Sequence, residues 1–523
     1  MTCITKQHVG KYTYLYESTS FRDARGKPRN KKTKIGKIDP ESGTTVYTVD
    51  YLQRNRNCNV TQAVSQTSAV SIKELLDGVR DFGVYWFLSQ LSSSIGLTTV
   101  LQETFPHIWK ELFTIACYLV VSDKPVMYCE DWLSENDWLD VGSLSSQRVS
   151  DLLMDFGEQE RNTFYRRWYK LIKEREYIAL DITSLSSYSK QRDECEFGYN
   201  RDGEKLPQIN LCMLFGEDSR LPIYQTTYTG SLGDVSTLQC TTAQFQSLFD
   251  DLRDVFVMDK GFYSASNIDY MLNQGIRFLL SVPFSNKFAR QYVEDERLAI
   301  DTVENTIVTA GDPIRGVRRD LVWKDKVLHA HVFYDTVQGT KDRNDLFASI
   351  ARLKTLVQSN AARKQDKDEI DRYLTVSDSE DGIAVTVRGE AVARALQTSG
   401  WFVLVSSEDE SSQRAFDKYR LRDVVEKGFW KYKNGLGLER LRVHSDERAA
   451  NKCFVAFVSL IISSHIRNIM RNNPRCDRLT VDRIFLSLAK IKSVVIGGRR
   501  ILRPLTKQQK DLFQVFGVPL PVG

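Results

Sequence analysis

The sequence predicts a mixed α/β core that follows a small β-rich unit and a helical region. From Tyr177 onward, short apolar segments of strand length alternate with amphipathic helical segments. Two of the strand segments each carry a carboxylate, Asp181 and Asp259, in an apolar context. A later segment, residues 419–433, is helical in pattern and carries charged residues on one face. These three features place the chemistry of the chain in the α/β core.

Composition limits the classes of protein to consider. A chain of 523 residues is too long for one hydrophobic core, so two to four domains are expected. The net charge of +5 is small for this length, so a polyanionic partner would have to be bound by local basic patches. The chain contains nine cysteines but no C-x-x-C pair, which argues against a zinc module or a disulfide framework.

The sequence also indicates where the protein works. The longest apolar runs, residues 112–121 and 453–462, are much shorter than the roughly 20 residues that span a membrane. The first residues lack the apolar region of a signal peptide. We therefore expect an intracellular, cytoplasmic protein without a membrane partner.

Residues 1–70 are predicted to form a small β-rich unit. Tyr12, Tyr14 and Tyr16 alternate as in a strand. A basic cluster follows, with Asp23 as its one acid, and it could bind a phosphate backbone or form a solvated basic hairpin. The cluster comprises Arg22, Arg25, Lys27, Arg29, Lys31, Lys32, Lys34 and Lys37.

Residues 71–176 are predicted to be helical. Apolar residues recur at spacings of three and four in segments 71–91 and 143–174, and Ser143 or Ser145 can cap the second segment. A helical layer of this size serves either as a packing module or as a DNA-docking domain. The pattern itself leaves both open, and we predict a DNA-docking domain.

Residues 177–283 are predicted to form the first part of the core. Asp181 interrupts an apolar strand, where a carboxylate is costly unless it is paired or binds a cation. The alternative is a carboxylate that caps a turn at the strand end. The predicted strands are residues 177–189, 209–215, 221–228, 255–259 and 276–282, with helices at 236–252 and 265–274.

This order of elements is that of a ribonuclease-H-like core, in which the first and fourth strands are neighbours. Asp181 and Asp259 would then lie side by side, and a helix packed across that edge would add Glu426. Three converging carboxylates repel one another unless divalent cations neutralise them.

The 167 positions that separate Asp259 from Glu426 are too many for a simple connection, so they predict an inserted domain at residues 284–400. Strands are expected at 306–309 and 328–335, and a helical stretch at 345–373. His329 and His331 alternate on one strand and could bind a metal, but no third ligand is near in sequence. A pair of surface histidines is the preferred interpretation.

Residues 401–472 are predicted to complete the core, starting with a strand at 401–406. In the following helix, Tyr419, Arg422, Glu426 and Lys433 fall within an arc of about 60° at about 100° per residue. Such a face suits a metal ion and phosphates, although most charged stripes are solvated faces with ion pairs. Residues 453–470 read as an apolar core helix, and 473–523 as a tail of small helices and a basic turn.

Three blocks of the sequence resemble a known family, the DDE transposases of bacterial insertion sequences. DITSLS (181–186) resembles the block of the first acid, and VMDKGF (257–262) that of the second, where Arg is more usual than Lys260. YRLRDVVEKGFWKYK (419–433) satisfies the pattern Y-x2-R-x3-E-x6-K in full. Stretches 198–211 and 228–238 are similar to the insertion-sequence-1634-like branch of the insertion-sequence-4-like superfamily.

This resemblance implies a function and a set of roles. Asp181, Asp259 and Glu426 would be catalytic and would hold two Mg²⁺ or Mn²⁺ ions, while Tyr419, Arg422 and Lys433 would bind a DNA phosphate. The family also implies a β-rich insertion, double-stranded DNA partners (terminal inverted repeats and target DNA) and a homodimer. Some members stack a flipped base on an aromatic residue, for which Trp323 or Trp401 are candidates.

Two other functions remain open on the sequence. One is a ribonuclease-H-like nuclease that cuts DNA without strand transfer, against which the inserted domain and the complete third motif argue. The other is an inactive DNA-binding repressor, which the presence of all three acids disfavours.

Overall fold

The structure is a computed structural model. It describes residues 2–9, 12–22, 27–38, 45–48, 51, 78–172, 177–188, 193–201, 203–216, 218–249, 254–309, 311–379, 382–435, 441–443, 445–496 and 499–522. The chain divides into two compact units. The first contains Met1–Asp77 with Ile496–Arg499, and the second contains Gly78–Val495 with Arg500–Gly523.

The first unit contains an antiparallel sheet of four strands in chain order. Leu15 and Ile35 are its buried apolar residues among those described. The described basic residues of the third strand are exposed, and Lys34 Nζ lies 3.8 Å from the ring centre of Tyr14. Asp23, Arg25 and the predicted boundary at residue 70 lie outside the described residues. The strands are β1 Thr2–Val9, β2 Tyr12–Arg22, β3 Pro28–Ile38 and β4 Thr45–Tyr47.

The second unit begins with a short strand and a layer of helices. The predicted segment 143–174 is divided into two helices, and Ser145 caps the first by accepting a hydrogen bond from the Arg148 amide. Large side chains such as Phe164 and Trp168 share one hydrophobic core with the sheet described below. The elements are β5 Arg80–Asp81, α1 Gly83–Ser94, α2 Leu97–Thr104, α3 Trp109–Val121, α4 Cys129–Glu135, α5 Ser146–Leu152 and α6 Glu158–Ile172.

The next segment contains strands and helices close to their predicted positions. Each predicted strand and helix between residues 177 and 283 is present, with ends that differ by a few residues. They are β6 Tyr177–Ser186, β7 Gln208–Gly216, β8 Pro222–Thr229, α7 Asp234–Leu248, β9 Val255–Met258, α8 Ala265–Asn273 and β10 Arg277–Val282.

The region between residues 284 and 400 differs from a separate β-rich insertion. Its first three strands extend the core sheet, and most of the remainder is helical with one two-stranded hairpin. The strand that begins at Trp401 would otherwise lie at the edge of the core sheet with unpaired backbone groups, and these three strands cover that edge. The elements are α9 Lys287–Glu296, β11 Thr306–Ile307, β12 Ile314–Trp323, β13 Lys326–Tyr334, α10 Thr336–Gln358, α11 Lys367–Tyr373, β14 Leu374–Ser379, β15 Gly382–Val387 and α12 Gly389–Leu396.

The last segment returns to the sheet and then crosses it with helices. Its elements are β16 Trp401–Ser406, α13 Ser412–Leu421, α14 Asp423–Trp430, a π-helix Lys431–Gly435, α15 Asp446–Arg471, α16 Val481–Leu488, β17 Lys492–Ile496, β18 Arg499–Leu502 and α17 Lys507–Val515. Helix α15 is long and apolar enough to span a membrane, but 67% of its most apolar window is buried inside the protein. It is therefore a core helix, and it contributes to the cores on both sides of the sheet.

The central sheet has nine strands in the order β11-β12-β13-β16-β10-β9-β6-β7-β8. Strand β6 pairs in parallel with β9, and β9 pairs in parallel with β10. Strands β7 and β8 continue antiparallel on one side of β6. The predicted neighbourhood of the first and fourth strands is therefore confirmed. A mixed α/β fold with one large mixed sheet is the architecture of the second unit.

Candidate active site

Asp181 and Asp259 lie on the same face of the sheet because of the two-residue period of a strand. Ala179, two residues before Asp181, is buried among Val425 and Phe429 of α14. Val257, two residues before Asp259, is buried among residues of α13 and β16. Helices α13 and α14 therefore cover the face from which both carboxylates project.

A glycine lets α14 approach this face closely. A Cβ atom added to Gly428 would lie 2.5 Å from Cζ of Phe215 on β7. Phe215 is only 1% exposed, so its ring has little room to move away. The glycine sets the distance between the sheet and Glu426, which lies two residues earlier on the same helix.

Arg422 brings the three predicted acids together. Its Nη1 lies 3.4 Å from Asp181 Oδ2 and 3.8 Å from Asp259 Oδ2. Its Nη2 donates to Glu426 Oε1 at 2.5 Å. Carboxylates from β6, from the end of β9 and from α14 thus surround one guanidinium group. The Arg422 and Asp181 side chains are 16% and 18% exposed, so these pairs are only partly screened by water.

Backbone and tyrosine donors fix the orientation of the two aspartates. Asp181 Oδ1 accepts from the Ile182 amide at 2.8 Å, and Asp259 Oδ1 accepts from the Lys260 amide at 2.7 Å. The Tyr419 hydroxyl donates to Asp259 Oδ1 at 3.4 Å. Each aspartate keeps its second oxygen directed towards Arg422.

The environment of the site shifts its titration. Burial raises the pKa of Asp181 to about 6, with a further increase from Asp259, while Arg422 opposes the shift. The pKa of Tyr419 is also raised, mainly by burial. Arg422 loses hydration on burial, yet Tyr419 and the three carboxylates hold its pKa above the ordinary value. Arg422 is therefore the permanent cation of the site.

The predicted single helix through residues 419–433 is wrong in its geometry. Tyr419 lies in α13, Glu426 lies in α14, and Lys433 lies in the π-helix that follows. A π-helix has a wider turn than an α-helix, so a step of 100° per residue no longer gives the direction of Lys433. Lys433 is 8% exposed, whereas Glu426 is exposed, so the four residues do not form one uniform surface stripe.

The donor set of the site suits a hard divalent cation, since all three acids offer oxygen ligands. Among the described residues, no three His, Cys, Asp or Glu side chains are grouped closely enough to hold one metal ion. Arg422 occupies the position between the acids and offsets part of their negative charge. The oxygen donors of these residues therefore suit a divalent metal ion. Arg422 would have to move away from the carboxylates for the ion to bind.

The preferred interpretation of His329 and His331 as surface residues is wrong. His329 is 9% exposed, and His331 is fully buried because β12 and β16 pair on both sides of β13. His331 Nδ1 lies 3.2 Å from Ser412 Oγ, and burial, followed by the charge of Arg318, lowers its pKa to about 4. His331 is therefore a neutral core residue.

A cleft of about 440 Å³ is lined by Glu426, but not by Asp181 or Asp259. Phe402, Phe416 and Tyr419 provide its aromatic lining. Its charged lining consists of two arginines and four acids: Arg420, Arg422, Asp312, Asp335, Asp423 and Glu426. The two tryptophans suggested by the sequence lie in other surroundings. Trp323 donates to Asp269 Oδ1 at 2.9 Å, and Trp401 packs on Tyr334 with ring centres 4.8 Å apart.

Sequence reasoning missed Arg201 as a member of the site. Its positive charge lowers the pKa of Asp181, and its Nη1 lies 3.4 Å from Ser184 Oγ on the same strand. Arg201 belongs to the stretch 198–211 that carries part of the family resemblance. A basic residue inside that stretch was the available signal, but its contact with β6 depends on the fold.

Comparison with known proteins gives one family. Residues 173–462 match the family described as the transposase DDE domain. A solved structure titled as the piggyBac transposase synaptic complex with hairpin DNA aligns with a TM-score of 0.33 and 10% identity. The alignment covers 78% of this chain and 70% of that chain. A search of curated proteins finds no match. The family match spans more than half of the chain and contains Asp181, Asp259 and Glu426, so this protein belongs to the DDE transposase family.

Proposed function

We propose that this protein cleaves DNA at the ends of an insertion sequence and joins those ends to target DNA, with Asp181, Asp259 and Glu426 as its catalytic acids. The observation that carries the proposal is the convergence of these carboxylates, from three separate elements, on Arg422. Structural ion pairs rarely need three acids around one base, because the excess negative charge is costly.

The strand arrangement supports a ribonuclease-H-like core. Strands β8-β7-β6-β9-β10 form a block in which β6 to β8 are antiparallel and β6, β9 and β10 are parallel. That is the order in which an acid on the first strand and an acid after the fourth strand meet. Helix α14 then supplies Glu426 from across the same face.

Asp181, Asp259 and Glu426 would hold Mg²⁺ or Mn²⁺, and we propose two ions. When bound, such ions activate a water or a 3′-hydroxyl and stabilise the leaving oxygen of an in-line displacement at phosphorus. The backbone amides of Ile182 and Lys260 hold the aspartates in fixed orientations, which reduces the reorganisation that ligand binding requires.

Arg422 has a second role in this proposal. Once cations neutralise the carboxylates, its guanidinium can turn to a DNA phosphate, which it can bind through two parallel hydrogen bonds. The Tyr419 hydroxyl has one proton, so it would donate to the same phosphate after releasing Asp259 Oδ1. Lys433, which is buried on the π-helix, would contribute as a point charge.

The cleft lined by Glu426 would take the DNA strand. Its aromatic residues, Phe402, Phe416 and Tyr419, offer flat apolar surfaces against which a base can stack. The partners we propose are terminal inverted repeats and target DNA, bound by a homodimer on paired ends in the bacterial cytoplasm. The exposed lysines of β3 would add non-specific contacts to the phosphate backbone.

The Glu426→Gln variant tests the catalytic assignment. It keeps the size of the side chain and removes its charge, so we expect end-DNA binding within about twofold of the wild type and loss of Mg²⁺-dependent nicking by at least about 100-fold. The matched control is Glu390→Gln, because Glu390 is 92% exposed on α12. Wild-type cleavage rates in Glu426→Gln would refute the assignment.

The products formed from labelled end DNA separate the alternatives. A joined product supports a transposase, a cut product alone indicates a nuclease without strand transfer, and a gel shift alone indicates an inactive DNA-binding repressor. The DNA for the assay is taken from the sequence that flanks the gene, where a transposase predicts inverted repeats close to both ends of the reading frame.

A further inference from the structure

A second group of basic residues lies where α14 and the π-helix face α15. Lys427 follows Glu426 directly, about 100° further around the helix, and pairs with Asp423, which lines the cleft. Together with Lys431 it faces α15, and the niche between them encloses about 50 Å³. Five cations line this niche, from three parts of the chain: Arg220, Lys427, Lys431, Arg467 and Arg471.

The pattern on α15 is that of one helical face. Ser463, Ser464, Arg467, Asn468 and Arg471 recur at spacings of three and four and all line the niche. Asn468 Nδ2 donates to the Ser219 carbonyl oxygen at 2.7 Å, which fixes the turn before β8 on α15. Arg220 follows Ser219 directly, so this hydrogen bond from Asn468 also positions Arg220 at the niche.

Three cations of the niche have acidic partners among the described residues. Asp423 pairs with Lys427, and Asp482 attracts both Lys431 and Arg467. Burial, followed by repulsion from Arg467, lowers the pKa of Lys431. Burial, followed by repulsion from Arg471, lowers the pKa of Arg467. These cations repel one another despite the two acids, and a further anion in the niche would reduce that repulsion.

An unpaired hydroxyl gives an independent indication of a ligand. Ser463 is 4% exposed and lines the niche, yet its Oγ has no hydrogen-bond partner among the residues that the structure describes. A buried hydroxyl without a partner is unfavourable, and a bound group or water at this position would satisfy it. A hydroxyl donor surrounded by guanidinium and ammonium groups matches the oxygens of a phosphate.

We propose that this niche binds a backbone phosphate of DNA at a position separate from the scissile phosphate. The inference rests on the proposed function, because it assigns a second contact on the DNA that the acids would cut. A phosphate held in the niche would anchor the strand on a face of α14 that neighbours the face carrying Glu426. The niche then links DNA binding to the position of the catalytic helix.

The test uses the full chain with Lys431→Gln and Arg467→Gln combined. A fluorescent 40-base-pair duplex of arbitrary sequence is titrated at several NaCl concentrations. Loss of one phosphate contact should lower the slope of log K against log salt by about 0.9 and weaken binding about threefold to tenfold at moderate salt. The control replaces charges of the same kind on other exposed helices, Lys341→Gln with Arg394→Gln, and should leave the slope unchanged.

Thermal unfolding checks the folding of the variant and the source of the phosphate. Removing two repelling cations should leave the melting temperature equal or higher, and inorganic phosphate should raise it for the wild type more than for the double variant. If phosphate acts in this way but the salt slopes are equal, the niche binds a free anion and the DNA assignment is overturned. If the two proteins have equal salt slopes and equal shifts in melting temperature with phosphate, the niche binds no phosphate and the proposal is wrong.

The same preparations are assayed for nicking, which separates this proposal from the proposed function. If the wild type nicks DNA and both proteins have the same salt dependence of binding, the proposal for the niche is wrong and the proposed function stands. A wild type that neither binds nor nicks DNA removes both.

Discussion

A single carboxylate in an apolar strand, Asp181, was the first chemical signal in the sequence. In the fold it pairs with Arg422, which it shares with two other acids, and its Oδ1 accepts a hydrogen bond from the Ile182 amide. Even with these partners, burial keeps its pKa near 6. The site therefore carries an electrostatic cost in the absence of cations, as expected where carboxylates are arranged for binding rather than for stability.

This cost predicts that Asp181→Asn stabilises the metal-free protein. The folded-state pKa of about 6 exceeds the unfolded value, so the carboxyl group costs nothing below about pH 4 and progressively more as the pH rises towards 6. At pH 7 in EDTA, the variant should be more stable than the wild type by up to about 3 kcal/mol. At pH 4 the two should be equal.

Urea unfolding at both pH values measures this difference, with Asp325→Asn on an exposed turn as the control. Mg²⁺ or Mn²⁺ should raise the melting temperature of the wild type and not that of Asp181→Asn. A variant that is less stable than the wild type at pH 7 would contradict the electrostatic account.

At the scale of elements, close backbone contacts hold the site together. Gly428 brings α14 onto β7, and Gly198 and Gly230 let two connecting segments cross. A Cβ on Gly198 would lie 1.9 Å from the Gly230 carbonyl oxygen. Both glycines belong to the stretches similar to the insertion-sequence-1634-like branch. Their place in the sequence follows from a crossing that no larger residue permits.

Gly428→Ala should separate α14 from the sheet. The added methyl group would overlap the buried Phe215 ring, so we expect a loss of about 1–3 kcal/mol in the free energy of unfolding. Cleavage should fall by more than this loss explains, because Glu426 moves with the helix. Chemical unfolding and a nicking assay at 10 °C, where both proteins are folded, measure the two effects.

Gly389→Ala is the matched control, since no atom lies within 4 Å of its added Cβ at the start of α12. It should be neutral or slightly stabilising. If Gly428→Ala has the stability and activity of the wild type, the close packing of α14 on Phe215 is not needed for function.

At the scale of the whole chain, charge and chemistry are carried by different units. The second unit contains the acids and its own hydrophobic cores. The first unit presents exposed basic residues on a sheet whose described part buries few apolar side chains. A small unit of this kind gains most from electrostatic contacts with a polyanion.

Removal of residues 1–77 should therefore weaken DNA binding and preserve the fold of the second unit. The truncated protein, residues 78–523, should keep the near-ultraviolet circular dichroism signal of packed aromatic side chains. Affinity for a non-specific duplex should fall at least about tenfold, with a smaller salt slope, because several phosphate contacts are lost. If the two proteins have equal salt slopes, the basic residues of β3 make no contact with DNA.

The sequence alone determined the order of strands and helices between residues 177 and 283, because apolar periodicity is a local property. It predicted neither β12 nor the hairpin of β14 and β15. It did not determine that β11–β13 extend the core sheet, since pairing depends on which edge needs a partner. Nor did it determine the direction of Lys433, the burial of His331 or the role of Arg201.

These features depend on the tertiary structure for a common physical reason. A side chain's neighbours are chosen by the packing of elements far apart in sequence, and local patterns contain no information about that choice. The convergence of Asp181, Asp259 and Glu426 could be predicted because their strands and helix follow a known order. The guanidinium of Arg422 between them became visible only when α13 and α14 were packed on the sheet.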